Sequence, residues 1–130
     1  MEELRVTPGP SVLFVEHRPQ RQDVFRSYFG KRGFLPTFLP DATEALERLS
    51  FAPPDAIVFA AELPNKKLFE LFLKLRQITE ESPLVAVFVF LLPQMELCDD
   101  LQSSRGCRIV TAPILLRELR RQLQLGLKDR

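Results

Sequence analysis

The chain has 130 residues, 45% hydrophobic and 27% charged, the proportions of one ordinary globular domain that buries roughly two-thirds of its unfolded surface. A formal charge of +1 supplies no strong field pointing to nucleic acid, a membrane or an acidic partner. Two cysteines, Cys98 and Cys107, have neither metal-ligand spacing nor the number a disulfide framework needs, so a cytoplasmic protein is expected.

The acidic, polar start MEELRVTPGP is not a signal peptide, and residues 1–10 are expected to form a flexible lead-in. Ser11 to Val15 (SVLFV) is a first buried strand, rich in β-branched and aromatic residues. Pro19 suits the first position of a helix, along which Val24, Phe25, Tyr28 and Phe29 recur at helical spacing until Gly33. Phe34 to Leu39 reads as a second strand, and Pro36 inside it makes it an edge strand or an irregular one. Asp41, with Glu44 three residues on, has the spacing of a capping box, and Ala42, Ala45, Leu46 and Leu49 give a second helix its apolar face.

Residues 54–64 (PDAIVFAAELP) form the centre of the pattern: a continuous apolar run, Ala56 to Ala60, bounded by turn formers, which is the mark of a strand covered on both faces. Leu68, Leu71, Phe72 and Leu75 follow as a third helix. Leu84 to Phe90 is a fourth buried strand, within an uncharged apolar run too short to cross a bilayer as a helix. Pro93 opens a weak helix carrying Met95, Cys98 and Leu101, Arg108 to Thr111 is a short fifth strand, and Leu119, Leu123 and Leu127 mark a last helix beginning near Pro113. The expected organisation is one domain over residues 11–127 with a short tail at 128–130. Strand and helix alternate five times with short connections, so the expected architecture is an α/β three-layer sandwich around a five-stranded parallel sheet. Arg117, Arg120, Arg121 and Lys128 gather near the C-terminus and are read as a solvated helix face.

Several of these segments, in order, resemble the receiver domains of two-component response regulators, the CheY-like, flavodoxin-like doubly wound fold. SVLFVEHRP resembles the family's first strand, acidic pair and opening helix turn. GFLPTFLPDATEAL resembles its G-hydrophobic…D-G-x-E-A-L block, with Ala42 in place of glycine. PDAIVFAAELP resembles its P-D-hydrophobic-D-x-x-M-P strand, LFELFLKLR its third helix, and VTAPI the end of its fifth strand.

Carried over residue by residue, the resemblance implies that the phosphorylation site has been lost. The phosphoacceptor aspartate falls on Ala60, and the metal-binding acidic pair falls on Glu16 and His17. The hydroxyl residue that contacts the phosphoryl group falls on Phe90, the lysine falls on Ala112, and the aromatic switch position falls near Ile109. A methyl group can neither attack a phosphoryl donor nor hold a metal, and one glutamate is a poor magnesium site, so no cofactor and no magnesium are expected. Glu62, two residues past Ala60, reads as a solvated loop carboxylate, and His17 as a surface or locally hydrogen-bonded histidine. No G-x-S-x-G nucleophile or glycine-rich phosphate loop is present, and no enzymatic activity is expected.

The leading expectation is therefore a pseudo-receiver, a degenerate receiver fold that docks a protein partner or dimerises without phosphoryl transfer, and without binding nucleic acid or membrane. The alternatives are an unorthodox phosphoacceptor, or a sensor of an uncharged small ligand in a crevice above Ala60. Leu92, Ile109, Leu115 and Leu116 are the expected interaction surface, with Leu68 and Leu73 as further apolar additions on the third helix.

Overall fold

Alternation along each strand sends successive side chains to opposite faces, and here both sets are apolar. In β1 (Ser11–Val15), Val12 and Phe14 face one side and Leu13 and Val15 the other. The computed structural model that shows this describes residues 9–60, 65–81, 84–90 and 107–129. After β1 come α1 (Pro19–Gly30), β2 (Leu35–Leu39), α2 (Ala42–Leu49), β3 (Ala56–Phe59), α3 (Asn65–Glu81), β4 (Val85–Phe90), β5 (Cys107–Thr111) and α4 (Leu116–Asp129). The expected helix after Pro93, with Leu92, Met95, Cys98 and Leu101, lies outside the described residues.

All strand pairs are parallel, in the order β2-β1-β3-β4-β5. α1 and α4 cover one face, where Phe25, Phe29, Leu119 and Leu123 pack on Val12, Phe14, Val58 and Val110. α2 and α3 cover the other, where Ala45, Leu49, Leu71 and Leu75 pack on Leu13, Ile57, Ala86 and Phe88. The three-layer doubly wound sheet expected from the sequence is the observed one.

Pro36 accounts for the position of β2. Leu35 N–H donates to Pro10 O of the neighbouring chain segment, so by the two-residue period Pro36 turns its nitrogen to the open edge, where no ladder hydrogen bond is lost. Asp41 caps α2 by accepting from Thr43 N–H at 3.0 Å. Gly33 has φ +88°, the left-handed conformation that lets the chain leave α1 and start β2.

At the opposite end of the sheet from the candidate site, Asp55 staples β3 to β1. Its Oδ2 accepts from Ser11 N at 2.8 Å and from Ser11 Oγ at 3.2 Å, while its own N–H donates to Ser11 Oγ. α4 begins at Leu116 rather than near Pro113, because Ile114 turns inward in the preceding segment and Leu119 N–H first bonds back to Leu115 O. It runs through Asp129, whose carboxylate lies 3.9 Å from Arg108, so residues 128 and 129 belong to the helix and not to a tail.

Candidate functional site

Chemistry in doubly wound sheets gathers beyond the carboxyl ends of the strands. Here that rim holds Glu16 and His17 after β1, Ala60 after β3, Phe90 at the end of β4, and Ala112 after β5. The topology thus brings the expected positions to one edge of the sheet. Ala60 is 1% exposed and donates its N–H to Val15 O, and its methyl packs in the core under α1 and α4. The side chain of Phe90 and all of Glu62 lie outside the described residues.

Glu16 is the buried charged residue of the described core, fully shielded from solvent. Its Oε1 accepts from Arg18 N–H at 3.0 Å and from Arg18 Nε at 2.8 Å, and its Oε2 accepts from Arg18 Nη2 at 3.1 Å. Arg21 Nε stands 3.5 Å from Oε2, and His17 Nδ1 3.9 Å from Oε1. Burial by itself raises the Glu16 pKa. The Arg18 hydrogen bonds and charge, with the Arg21 charge, outweigh that effect and hold the carboxyl below the ordinary carboxylate range. Gln22 Nε2 donates to Glu16 O and fixes the backbone under this cluster.

This donor set does not fit magnesium. The ion needs oxygen ligands at about 2.0–2.1 Å in octahedral array. Both Glu16 oxygens already serve Arg18, and the adjoining positions offer an imidazole and a methyl group. Among the described residues, no cluster of three or more His, Cys, Asp or Glu could hold a metal. His17 projects from the rim with 62% of its side chain exposed.

The sequence reading named Glu16 and His17 but missed Arg18 and Arg21. The signal was E-x-R-x-x-R, running from a strand end into a helix that opens at Pro19. Arg18 is the N-cap residue of α1 and makes no side-chain cap bond, because its guanidinium turns back onto Glu16. The carboxylate in turn lies near the helix N-terminus, where negative charge is favoured.

Two expected surface residues give way to the core. Ile109 packs against the α2–α3 side and Leu116 against the α1–α4 side, each partly buried, because alternation in β5 and the first turn of α4 point them inward. Leu115 is 60% exposed and Leu73 58% exposed, whereas Leu92 and the Leu68 side chain lie outside the described residues.

Much of the rim around the expected crevice above Ala60, including residues 61–64 and the Phe90 side chain, lies outside the described residues. Among the described residues a groove of about 470 Å³ opens between α1 and the β5–α4 connection, beside Ala112, and Arg21 contributes to its lining, so it is not a site of purely apolar character. Cys107, on β5, is largely buried, and burial pushes its thiol up to about 11.

No family model and no curated protein matches the chain. Among solved structures it is similar to the signal receiver domain of a putative Luxo repressor protein from Vibrio parahaemolyticus (TM-score 0.77, 17% identity, covering 93% of this chain and 92% of that one). A Francisella response regulator receiver domain is similar at TM-score 0.74 and 22% identity, covering 93% and 98% of the two chains. The receiver domain of a sensor histidine kinase from Pseudomonas aeruginosa PAO1, which holds a magnesium ion in its active site cleft, is similar at TM-score 0.72 and 21% identity over 92% and 98%. The fold is that of CheY-like receiver domains.

Proposed function

We propose that the chain is a pseudo-receiver, a receiver fold that serves cytoplasmic signal transduction through protein contacts and does not take up phosphoryl groups. The observation that carries this reading is the arginine-clamped Glu16 beside the buried methyl of Ala60. Phosphoryl transfer rests on positioning and charge stabilisation, and here the nucleophile, the second acid and the cation are replaced by Ala60, His17 and Ala112.

Addition of beryllofluoride with magnesium is expected to leave the NMR spectrum unchanged. Ala60→Asp is expected to remain unresponsive and to lose about 1–3 kcal/mol of stability, since the new carboxylate enters a desolvated position. Saturable shifts around Glu16 and Ala60 in the unmodified chain would overturn the reading.

The protein-contact part rests on Leu115, exposed beside the ends of β5 and α4. Leu115→Asp is expected to leave the fold intact, since exposed substitutions usually change stability by no more than about 0.5 kcal/mol. It is expected to abolish self-association seen by sedimentation. A strictly monomeric unmodified chain at high concentration rules out the homodimer. Partner binding that survives Leu115→Asp combined with Leu92→Asp rules out this face altogether.

A further inference from the structure

The groove beside Ala112 has walls of Val24, Pro113, Ile114 and Leu116. Its volume of about 470 Å³ falls in the size range of small-ligand sites, which are mostly apolar with a few convergent polar groups. The convergent polar group here is Arg21. Arg18 already satisfies both Glu16 oxygens, and Arg21 makes no hydrogen bond among the described residues, only the 3.5 Å ion-pair contact and a position 5.5 Å from the centre of the Phe25 ring. A guanidinium held by its Nε side, on the wall of an apolar groove, retains terminal donors in the fork geometry that matches a carboxylate.

The charge around the groove has the same sign. α1 and its flanks carry Arg18, Arg21, Arg26, Lys31 and Arg32 against Asp23, and α4, on the same face of the sheet, carries Arg117, Arg120, Arg121 and Lys128 against Glu118 and Asp129. Some of this charge is spent internally, as Arg26 pairs with Asp23 and Arg121 with Glu118. Glu16 does not oppose an incoming anion, because it is fully buried and paired.

We propose that this groove binds a small amphipathic carboxylate, a medium-chain or aryl acid whose apolar body lies against Val24, Pro113, Ile114 and Leu116 while its anion pairs with Arg21. The complementarity is double: an apolar trough for the body, and a cation with unused donors for the head. The site is independent of the protein contacts proposed above, so its failure leaves that reading untouched, and the converse also holds.

Sodium octanoate, octanamide and sodium acetate serve as probes, titrated into the unmodified chain and followed by ¹H–¹⁵N NMR. Octanoate is expected to give saturable shifts at Val24, Ile114 and Leu116 with a dissociation constant on the order of 0.1–1 mM, at least about tenfold tighter than octanamide, and acetate none. Arg21→Gln is expected to reduce octanoate to the octanamide level. Val24→Asp, at a half-exposed position that tolerates it, is expected to remove binding of both. Equal affinity for acid and amide, shifts confined to other residues, or no saturation up to about 10 mM overturns the proposal. So does a peptide pairing glutamate with leucine that saturates the same residues when octanoate does not, since the groove then takes a protein segment.

Discussion

Arg18 sets the state of Glu16, and the consequence can be measured through pH. A carboxyl whose folded-state pKa is depressed contributes stability that is fully present above its unfolded value, about 4.3, and is lost as pH falls through the lower folded value. The urea midpoint is therefore expected to drop more steeply below about pH 4 in the unmodified chain than in Glu16→Gln. Arg18→Ala leaves a buried carboxylate with Arg21 as its remaining close cation. Because the Arg18 side chain is 39% exposed, the loss is discounted for solvent screening to about 1–3 kcal/mol. If Arg18→Ala unfolds at the same urea concentration as the unmodified chain, the clamp has no energetic role. At this scale the sequence placed Ala60 and Ala112 where the receiver resemblance expects functional groups, but it did not show the Glu16 cluster. Two arginines near a strand end look like ordinary surface charge until the turn folds them back.

Elements were legible where burial on both faces made the strands continuously apolar, as in SVLFV and AIVF, and where a breaker narrowed the options, as Pro36 left β2 to be an edge strand or an irregular one and the sheet order makes it an edge. The approach of α4 to the sheet was not legible. Gly126 lies where an added Cβ would stand 2.5 Å from Val85 Cγ1 and 3.1 Å from Arg108 Cδ. Nothing in the pattern of Leu119, Leu123 and Leu127 reveals a contact made to β4. Gly126→Ala sets two effects against each other. Helix propensity gains up to about 1 kcal/mol, and overpacking against Val85 costs about 1–3 kcal/mol. Net destabilisation is expected in urea unfolding, and Val85→Ala in the same chain is expected to cost less than it does alone, because the new methyl fills part of the space. Additive losses would show that the helix shifts outward instead of meeting the valine.

For the whole molecule, a formal charge of +1 conceals an uneven distribution. The layer of α1 and α4 is strongly basic, and its cations are interleaved with rings: Arg26 lies 4.7 Å from the centre of the Phe38 ring and Arg32 3.7 Å from that of Tyr28. Net charge averaged over the chain cannot report this, because the two segments involved are far apart in sequence and meet only when the sheet assembles. The same holds for the groove between them, whose walls come from residues 21–25 and 112–116. The fold was recoverable from local periodicity, while the surface depends on which elements share a face.

Cys107 turns the outer strand β5 into a clock for its own opening. With its thiol pushed up to about 11, only about one molecule in a thousand carries the reactive thiolate at pH 8, against about one in four for an ordinary cysteine. The same shift makes a stability contribution that is present below the unfolded thiol value and lost as pH rises through about 11. In a Cys98→Ser chain, alkylation by iodoacetamide is therefore expected to proceed chiefly through molecules in which the strand has momentarily detached. The rate is expected to rise with small additions of urea well before the main unfolding transition, at a slope that reports how much of the edge comes away. Labelling at pH 8 as fast as that of a free peptide thiol would mean that this edge stands open most of the time.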